Sequence, residues 1–180
     1  MFKIGHGYDV HKIINKEKPL ILGGIYIEAN FSLKAHSDGD VVLHALCDSL
    51  LGALGLGDIG NHFSDVDRKY KNKCSSYFIK QILKFLKERN YKICNIDITV
   101  VTEVPKISLY SSSMCEKISS LLKLNINQIN VKATTTEKLG FIGRKEAIAC
   151  HSMTLISENE KNNIYPDKLS NYNLNNWYYN

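Results

Sequence analysis

No stretch of this 180-residue sequence approaches the ~20 consecutive apolar residues that cross a bilayer, so no membrane partner is expected. Closely spaced cysteines are missing as well. The five Cys, at 47, 74, 94, 115 and 150, form no C-x-x-C pair and are odd in number. That argues against a disulfide framework and for free thiols in a reducing compartment. Nor is there an arginine-rich run: the formal charge of +5 comes from scattered lysines, which suits an anionic small molecule and gives no nucleic-acid face. No internal repeat stands out. The opening Met1-Phe2-Lys3-Ile4-Gly5 reads directly as a strand with no leader before it, and a chain trimmed from a longer precursor would read the same. What remains is ordinary for one globular domain, 44% hydrophobic and 23% charged, long enough to bury a core.

Periodicity places the elements. Residues 2–9 and 19–27 read as strands broken by turn residues. From Asp40 to about Leu56, Leu43, Leu46, Leu50 and Ala53 recur at steps of three and four, a buried helical stripe. Asp40, His44 and Asp48 form a separate polar line along that helix. A Gly-rich stretch near Gly57 ends it, and an acidic loop runs on through Asp67. Helices over 76–89 and 109–123 and strands at 96–100, 129–135 and 146–156 follow. The pattern predicts an α/β (α+β) fold, a single mixed sheet with helices packed on one face, over residues 1–157. Residues 158–180 are rich in Asn, Tyr and Lys with no apolar period, and read as an irregular C-terminal extension.

Five segments carry residues suited to chemistry. In Asp9-Val10-His11, residues two apart on a strand share a face, so a carboxylate and an imidazole can close on one ion. The same pair also suits a plain strand end. His44 would complete three N/O ligands for zinc with one position open, and Asp48, one turn on, is placed to hold its ring through the second nitrogen. Ala35-His36-Ser37-Asp38-Gly39-Asp40 enters the helix, where it serves as an N-cap and can face a phosphate. Leu56-Gly57-Asp58-Ile59-Gly60 and Phe63-Ser64-Asp65-Val66-Asp67 offer carboxylates and close backbone approach for polyol hydroxyls, or form a solvated turn. Lys132-Ala133-Thr134-Thr135-Thr136-Glu137 follows a strand and could bind a diphosphate with its magnesium ion. The run from Glu137 to Arg144 reads as functional rather than as packing.

Together these segments resemble the 2-C-methyl-D-erythritol 2,4-cyclodiphosphate synthase family, from Ile4 to about Leu155 and in matching order. Gly5-His6-Gly7-Tyr8-Asp9-Val10-His11, His36 to Asp40, and Lys132 to Gly140 carry the likeness. The resemblance implies a lyase of the non-mevalonate isoprenoid pathway that closes a cyclic diphosphate on a nucleotide-activated polyol phosphate and releases CMP. It implies one Zn2+ per subunit on Asp9, His11 and His44, and Mg2+ or Mn2+ facing Glu137. His36 and Thr135 are implied as transition-state stabilisers, with Ser37 facing phosphate and Val10 in the substrate-binding strand. Asp58, Ile59, Gly60 and Phe63, Ser64, Asp65, Val66, Asp67 match the polyol loop. Thr102, Glu103, Val104, Pro105, Lys106, Ile107 and Ser108, with Ala133, Thr134 and Thr136, match the cytidine and diphosphate pocket. The family is a homotrimer with sites between subunits, and Phe141, Arg144 and Glu146 match positions near a central cavity proposed to take isoprenoid diphosphates. Ser64, Val66 and the residues flanking Pro105-Lys106 depart from commoner choices.

Two rivals use the same residues. A zinc phosphohydrolase would need a base beside its water, for which Asp58 or Asp65 are the nominees. A non-enzymatic isoprenoid-diphosphate sensor would leave the zinc ligands without a task. The AT-rich codon usage implied by abundant Asn, Lys, Ile and Tyr points to a plastid-type organelle, apicoplast or chloroplast-like, with a bacterial cytoplasm as the alternative.

Overall fold

The computed structural model describes residues 1–64, 69–70 and 73–159. Asp65, Val66, Asp67 and the extension from residue 160 lie outside the described residues. The chain runs β1 (Phe2–Asn15), β2 (Leu20–Leu22), β3 (Ile25–Ile27), β4 (Phe31–Leu33), α1 (Val41–Leu54), α2 (Ile59–His62), α3 (Ser75–Glu88), β5 (Tyr91–Val101), α4 (Ser111–Leu122), β6 (Ile129–Thr134), α5 (Gly140–Gly143) and β7 (Ala147–Glu158). Five strands form one mixed sheet in the order β4-β1-β7-β5-β6, with only the β5–β6 pair parallel.

The sheet is not the only one. β2 and β3 pair with each other as a separate hairpin, because Gly23 and Gly24 take positive φ and turn the chain back after three residues. Helices α1, α3 and α4 share one core with one sheet face, through Leu46, Leu50, Ile79, Ile82, Met114 and Ile118 against Ile96, Ile98, Val100, Ile148 and Ile156. The one-turn α5 departs from the expected one-sided arrangement: its Ile142 packs with Val101, Ala147 and Ala149 in a second small cluster. Val101, Ala147 and Ala149 alternate with core-facing neighbours on their strands and so lie on the opposite sheet face. β1 extends well past residue 9 to Asn15, and β4 was not anticipated from the sequence. Among the described residues, no helix is long and apolar enough to cross a membrane.

The element that positions everything else is α1. Its N-terminus is capped by the fully buried Asp40, which accepts the amides of Val42 and Leu43 and ties in the β2–β3 turn through Gly23 and Gly24. Burial pushes this carboxyl up to about 6, against the amides, which favour its charged form. Gly55, left-handed at φ 68°, ends the helix.

Along its length α1 lies directly on β1, antiparallel to it. A Cβ at Gly5 would stand 1.9 Å from the Ser49 carbonyl oxygen, and one at Gly7 would stand 2.0 Å from that of Ala45. Only hydrogen fits at either position. Beneath the contact, the buried Ser49 hydroxyl meets those of Ser152 (3.0 Å) and Thr154 (2.7 Å) on β7, so the polar groups there are satisfied.

Replacing Gly7 by Ala sets a methyl against helix backbone that has no rotamer to yield. Thermal unfolding should show a loss of about 3 kcal/mol or more, at the top of the usual overpacking range. An unchanged melting temperature would mean that α1 can lift off the strand at little cost.

Candidate functional site

Because Gly5 and Gly7 face α1, the next residues of the same strand face, Asp9 and His11, point at the helix's first turn, where His44 stands. The three side chains meet. Asp9 Oδ2 lies 3.1 Å from His44 Nδ1 and 3.3 Å from His11 Nε2, and the two ring nitrogens are 3.1 Å apart. One donor atom from each residue falls within 4.8 Å of the others, a triad able to hold a metal ion. Its electrostatics are matched to that use. Burial works to raise the Asp9 carboxyl, but the His44 hydrogen bond and the two imidazoles hold it below its ordinary value. Burial lowers His11, outweighing the pull of Asp9, so that ring is neutral and available. His44 is also disfavoured by burial as a cation, yet its bond to Asp9 raises it above its ordinary value.

The partner that fixes the His44 ring is not Asp48. Ser37 Oγ sits 3.3 Å from His44 Nε2 and also accepts the Gly39 amide. Asp48 instead accepts the Ile59 amide at 2.8 Å, which ties the 58–60 turn to α1, and burial pushes its carboxyl above the ordinary range. Helical spacing alone put Asp48 near His44 but could not reveal a loop amide closer to it.

Next to the triad opens a cavity of ≈ 360 Å³ lined by His11, Lys34, Ala35, His36, Ser37, His44, Ile59, Gly60, Phe63, Tyr70 and Phe78. Imidazoles and hydroxyl stand on one side, and the Phe63–Tyr70–Phe78 ring cluster on the other. His36, Ser37, Ile59, Gly60 and Phe63 are thus gathered as expected. Asp58 is not: both its oxygens are engaged by Asn61, capping α2. Ser64 is half-buried and absent from the lining, and Val10 points to the other sheet face. Lys18 was missed. Its ammonium donates to the Ser37 carbonyl at 2.8 Å and to that of Ala35 at 3.4 Å, propping the loop that presents His36.

The remaining residues form a second group at the same end of the sheet. Asp9, Cys150, Val100 and Ala133 are successive partners in one row across β1, β7, β5 and β6, so the groups stand three strand spacings apart, about 14 Å. None of residues 102–108 or 133–137 lines the cavity. In this group Thr102 caps its own loop through the Val104 amide and carbonyl, ahead of Pro105, Lys106 and a 3-10 turn at Ile107–Leu109 that includes Ser108.

Glu103 turns inward: one carboxylate oxygen accepts the amides of Thr136 (3.1 Å) and Lys138 (3.2 Å). It thereby braces two consecutive residues with positive φ, Glu137 (53°) and Lys138 (64°). Thr135 and Glu137 are exposed and hydrogen-bonded to each other, and Thr134 is exposed beside them. Part of the 137–144 run proves to be packing, since a Cβ on Gly143 would meet the Lys138 carbonyl carbon at 2.0 Å. Phe141 and Arg144 are exposed near the sheet's outer face, and Arg144 pairs with Glu146 at 2.8 Å.

Comparison with known proteins shows the family. The model of the YgbB family matches residues 2–157. A Francisella philomiragia protein named 2-C-methyl-D-erythritol 2,4-cyclodiphosphate synthase is 54% identical over 156 residues, covering 87% of this chain and 98% of that one. A Francisella tularensis protein of the same name is 52% identical, covering 86% and 98%. Among solved structures, the Plasmodium falciparum IspF CDP complex superposes with a TM-score of 0.78 at 41% identity, covering 88% of this chain and 97% of that one. The bifunctional IspDF from Campylobacter jejuni gives 0.84 at 45% identity; this chain covers 43% of that longer chain, and 88% of this chain is matched.

His44, raised above its ordinary value, must give up its proton to bind a metal, so affinity for a divalent ion should fall as the pH falls. Chelator competition should find zinc bound at least about tenfold more weakly near pH 6 than near pH 7.5. An equal affinity would mean that His44 is not a ligand. For the second group, Glu103→Ala should speed exchange of the Thr136 and Lys138 amide hydrogens by more than about tenfold, with Glu103→Gln retaining most of the protection. Unchanged exchange in the Ala variant would show that the loop holds itself.

Proposed function

The chain belongs to the YgbB family, and from that premise we propose that it converts 4-diphosphocytidyl-2-C-methyl-D-erythritol 2-phosphate into 2-C-methyl-D-erythritol 2,4-cyclodiphosphate and CMP. The single observation that carries this reading is the Asp9–His11–His44 triad opening on a cavity flanked by His36 and Ser37. An oxygen of the 2-phosphate attacks the β-phosphorus, the bond from that phosphorus to the bridging oxygen of CMP breaks, and the eight-membered ring remains. The attacking oxygen is already ionised, so no general base is required. Positioning and charge do the work.

One carboxylate and two imidazoles with a position left over form a donor set that fits zinc. When bound, zinc on Asp9, His11 and His44, and Mg2+ or Mn2+ facing Glu137, supply the positive charge that lets two polyanionic phosphates approach. The chain's own residues do the rest. Ser37 meets the His44 ring at Nε2, orienting it with Nδ1 toward Asp9 and His11. His36 and Thr135 donate to phosphate oxygens as charge builds. Phe63, Ile59 and Gly60 enclose the polyol away from bulk water. Residues 102–108 with Ala133 and Thr134 seat the cytidine. Of the two bases nominated for the hydrolytic alternative, Asp58 is engaged through both oxygens by Asn61, and Asp65 lies outside the described residues.

The two groups stand too far apart across the sheet for either to complete the other's site in one chain. This supports a homotrimer in which each site takes its metal half from one copy and its nucleotide half from a neighbour. The exposed outer-face residues Phe141 and Arg144 would then lie near the shared axis, where an isoprenoid diphosphate could bind.

Run in oxygen-18 water, the reaction should leave CMP and the cyclic product unlabelled, whereas stoichiometric label would establish hydrolysis. The shared site has its own test. His44→Ala and a Thr135→Ala/Glu137→Ala variant should each be inactive. Co-refolded in equal amounts, each interface draws its halves independently, so about one quarter of wild-type activity should return. Verified mixed trimers that stay inactive would place each site within one chain.

A further inference from the structure

The outer face of the main sheet carries a second meeting of imidazoles that the proposed reaction does not use. On β1 the odd-numbered residues Gly5, Gly7, Asp9 and His11 face α1, and the even-numbered Ile4, His6, Tyr8 and Val10 face the other way and are exposed. His151 stands on the same outer face, paired in register with Tyr8 and diagonal to His6. His6 Nε2 and His151 Nδ1 are 3.1 Å apart, their rings stacked at 26°. The Tyr8 ring packs against His151 with centroids 4.7 Å apart, holding it toward His6.

We propose that His6 and His151 form a second metal site, a two-imidazole site for a late divalent first-row transition ion, with water in the remaining positions. The spacing equals that between His11 Nε2 and His44 Nδ1 in the triad. At metal–nitrogen distances of about 2.05 Å, two nitrogens 3.1 Å apart subtend about 98° at the ion, between the square-planar and tetrahedral angles. Both lone pairs are available when each ring carries its proton on the far nitrogen, Nδ1 of His6 and Nε2 of His151. Both rings also stand on strands paired along eleven residue positions, so the pair is organised by the sheet rather than by a loop. An imidazole-only set with no thiolate or carboxylate suits Cu2+, Ni2+ or Zn2+ over Mg2+ or Ca2+. The inference does not depend on the reaction proposed above.

Zinc is a sufficient probe, because the triad provides an internal control. Calorimetric titration of chelator-stripped protein should show a tight first equivalent at the triad and a weaker second one. His6→Gln and His151→Gln should each lose the second equivalent and keep the first. Keeping the first equivalent at the triad shows that each variant remains folded. Paramagnetic Co2+ added to the zinc-loaded protein should broaden the His6 and His151 ring resonances before those of His36 and His62. Retention of the second equivalent in both variants, its absence from wild type, or broadening that begins at His36 or His62 would overturn the proposal.

Discussion

Everything that makes this chain a candidate catalyst depends on how close a helix can come to a strand. An ordinary residue at position 5 or 7 would hold α1 away from β1 by at least the thickness of a methyl group, and both potential contacts are with helix backbone. With hydrogen there, α1 settles onto the strand. Its first turn then comes level with Asp9 and His11, and His44, four positions into the capped helix, becomes the third member of the candidate metal triad. The buried Asp40 cap and the Ser49–Ser152–Thr154 hydroxyl cluster fix where along the strand the helix stops. A core packed this tightly transmits small changes, so the metal site and the fold share one set of contacts.

The second constraint is lateral. A five-stranded sheet puts the triad on one side and the Thr134–Glu137 loop on the other, at one level but three strands apart. A substrate carrying phosphates at one end and a nucleobase at the other needs both kinds of surface at once. The proposed sharing of each site between copies would satisfy that need without a long loop. Each half is rigid for its own reason: the triad through helix packing, and the loop through a Glu103 carboxylate that holds two left-handed residues in place.

Much of this was legible in the sequence. The period-two spacing of Asp9 and His11, and the polar line bearing His44, contained the triad that could hold a metal, because strand and helix periodicities dictate which side chains share a face. Other features were illegible for physical reasons. Asp48 lies on the same line as His44, yet its oxygen goes to the Ile59 amide, a partner that only tertiary folding supplies. Lys18 and Glu103 act on backbone carbonyls and amides, which leave no side-chain pattern to read. Asp58, expected to face polyol hydroxyls, also caps α2 through Asn61, a second use that Asp before a short helix commonly has. The 19–27 stretch, read as strands broken by turn residues, is the β2–β3 hairpin, whereas β4 is a lone three-residue strand, too short for alternation to register.

The account's central claim is that α1, laid on Gly5 and Gly7, delivers His44 to the same ion as Asp9 and His11. Anomalous diffraction at the zinc edge from crystals of the loaded protein measures this directly. The account predicts one strong peak per chain at the triad, about 2.0–2.2 Å from Asp9 Oδ2, His11 Nε2 and His44 Nδ1. A peak bound by Asp9 and His11 with the His44 ring turned away, or no peak at the triad, would contradict it.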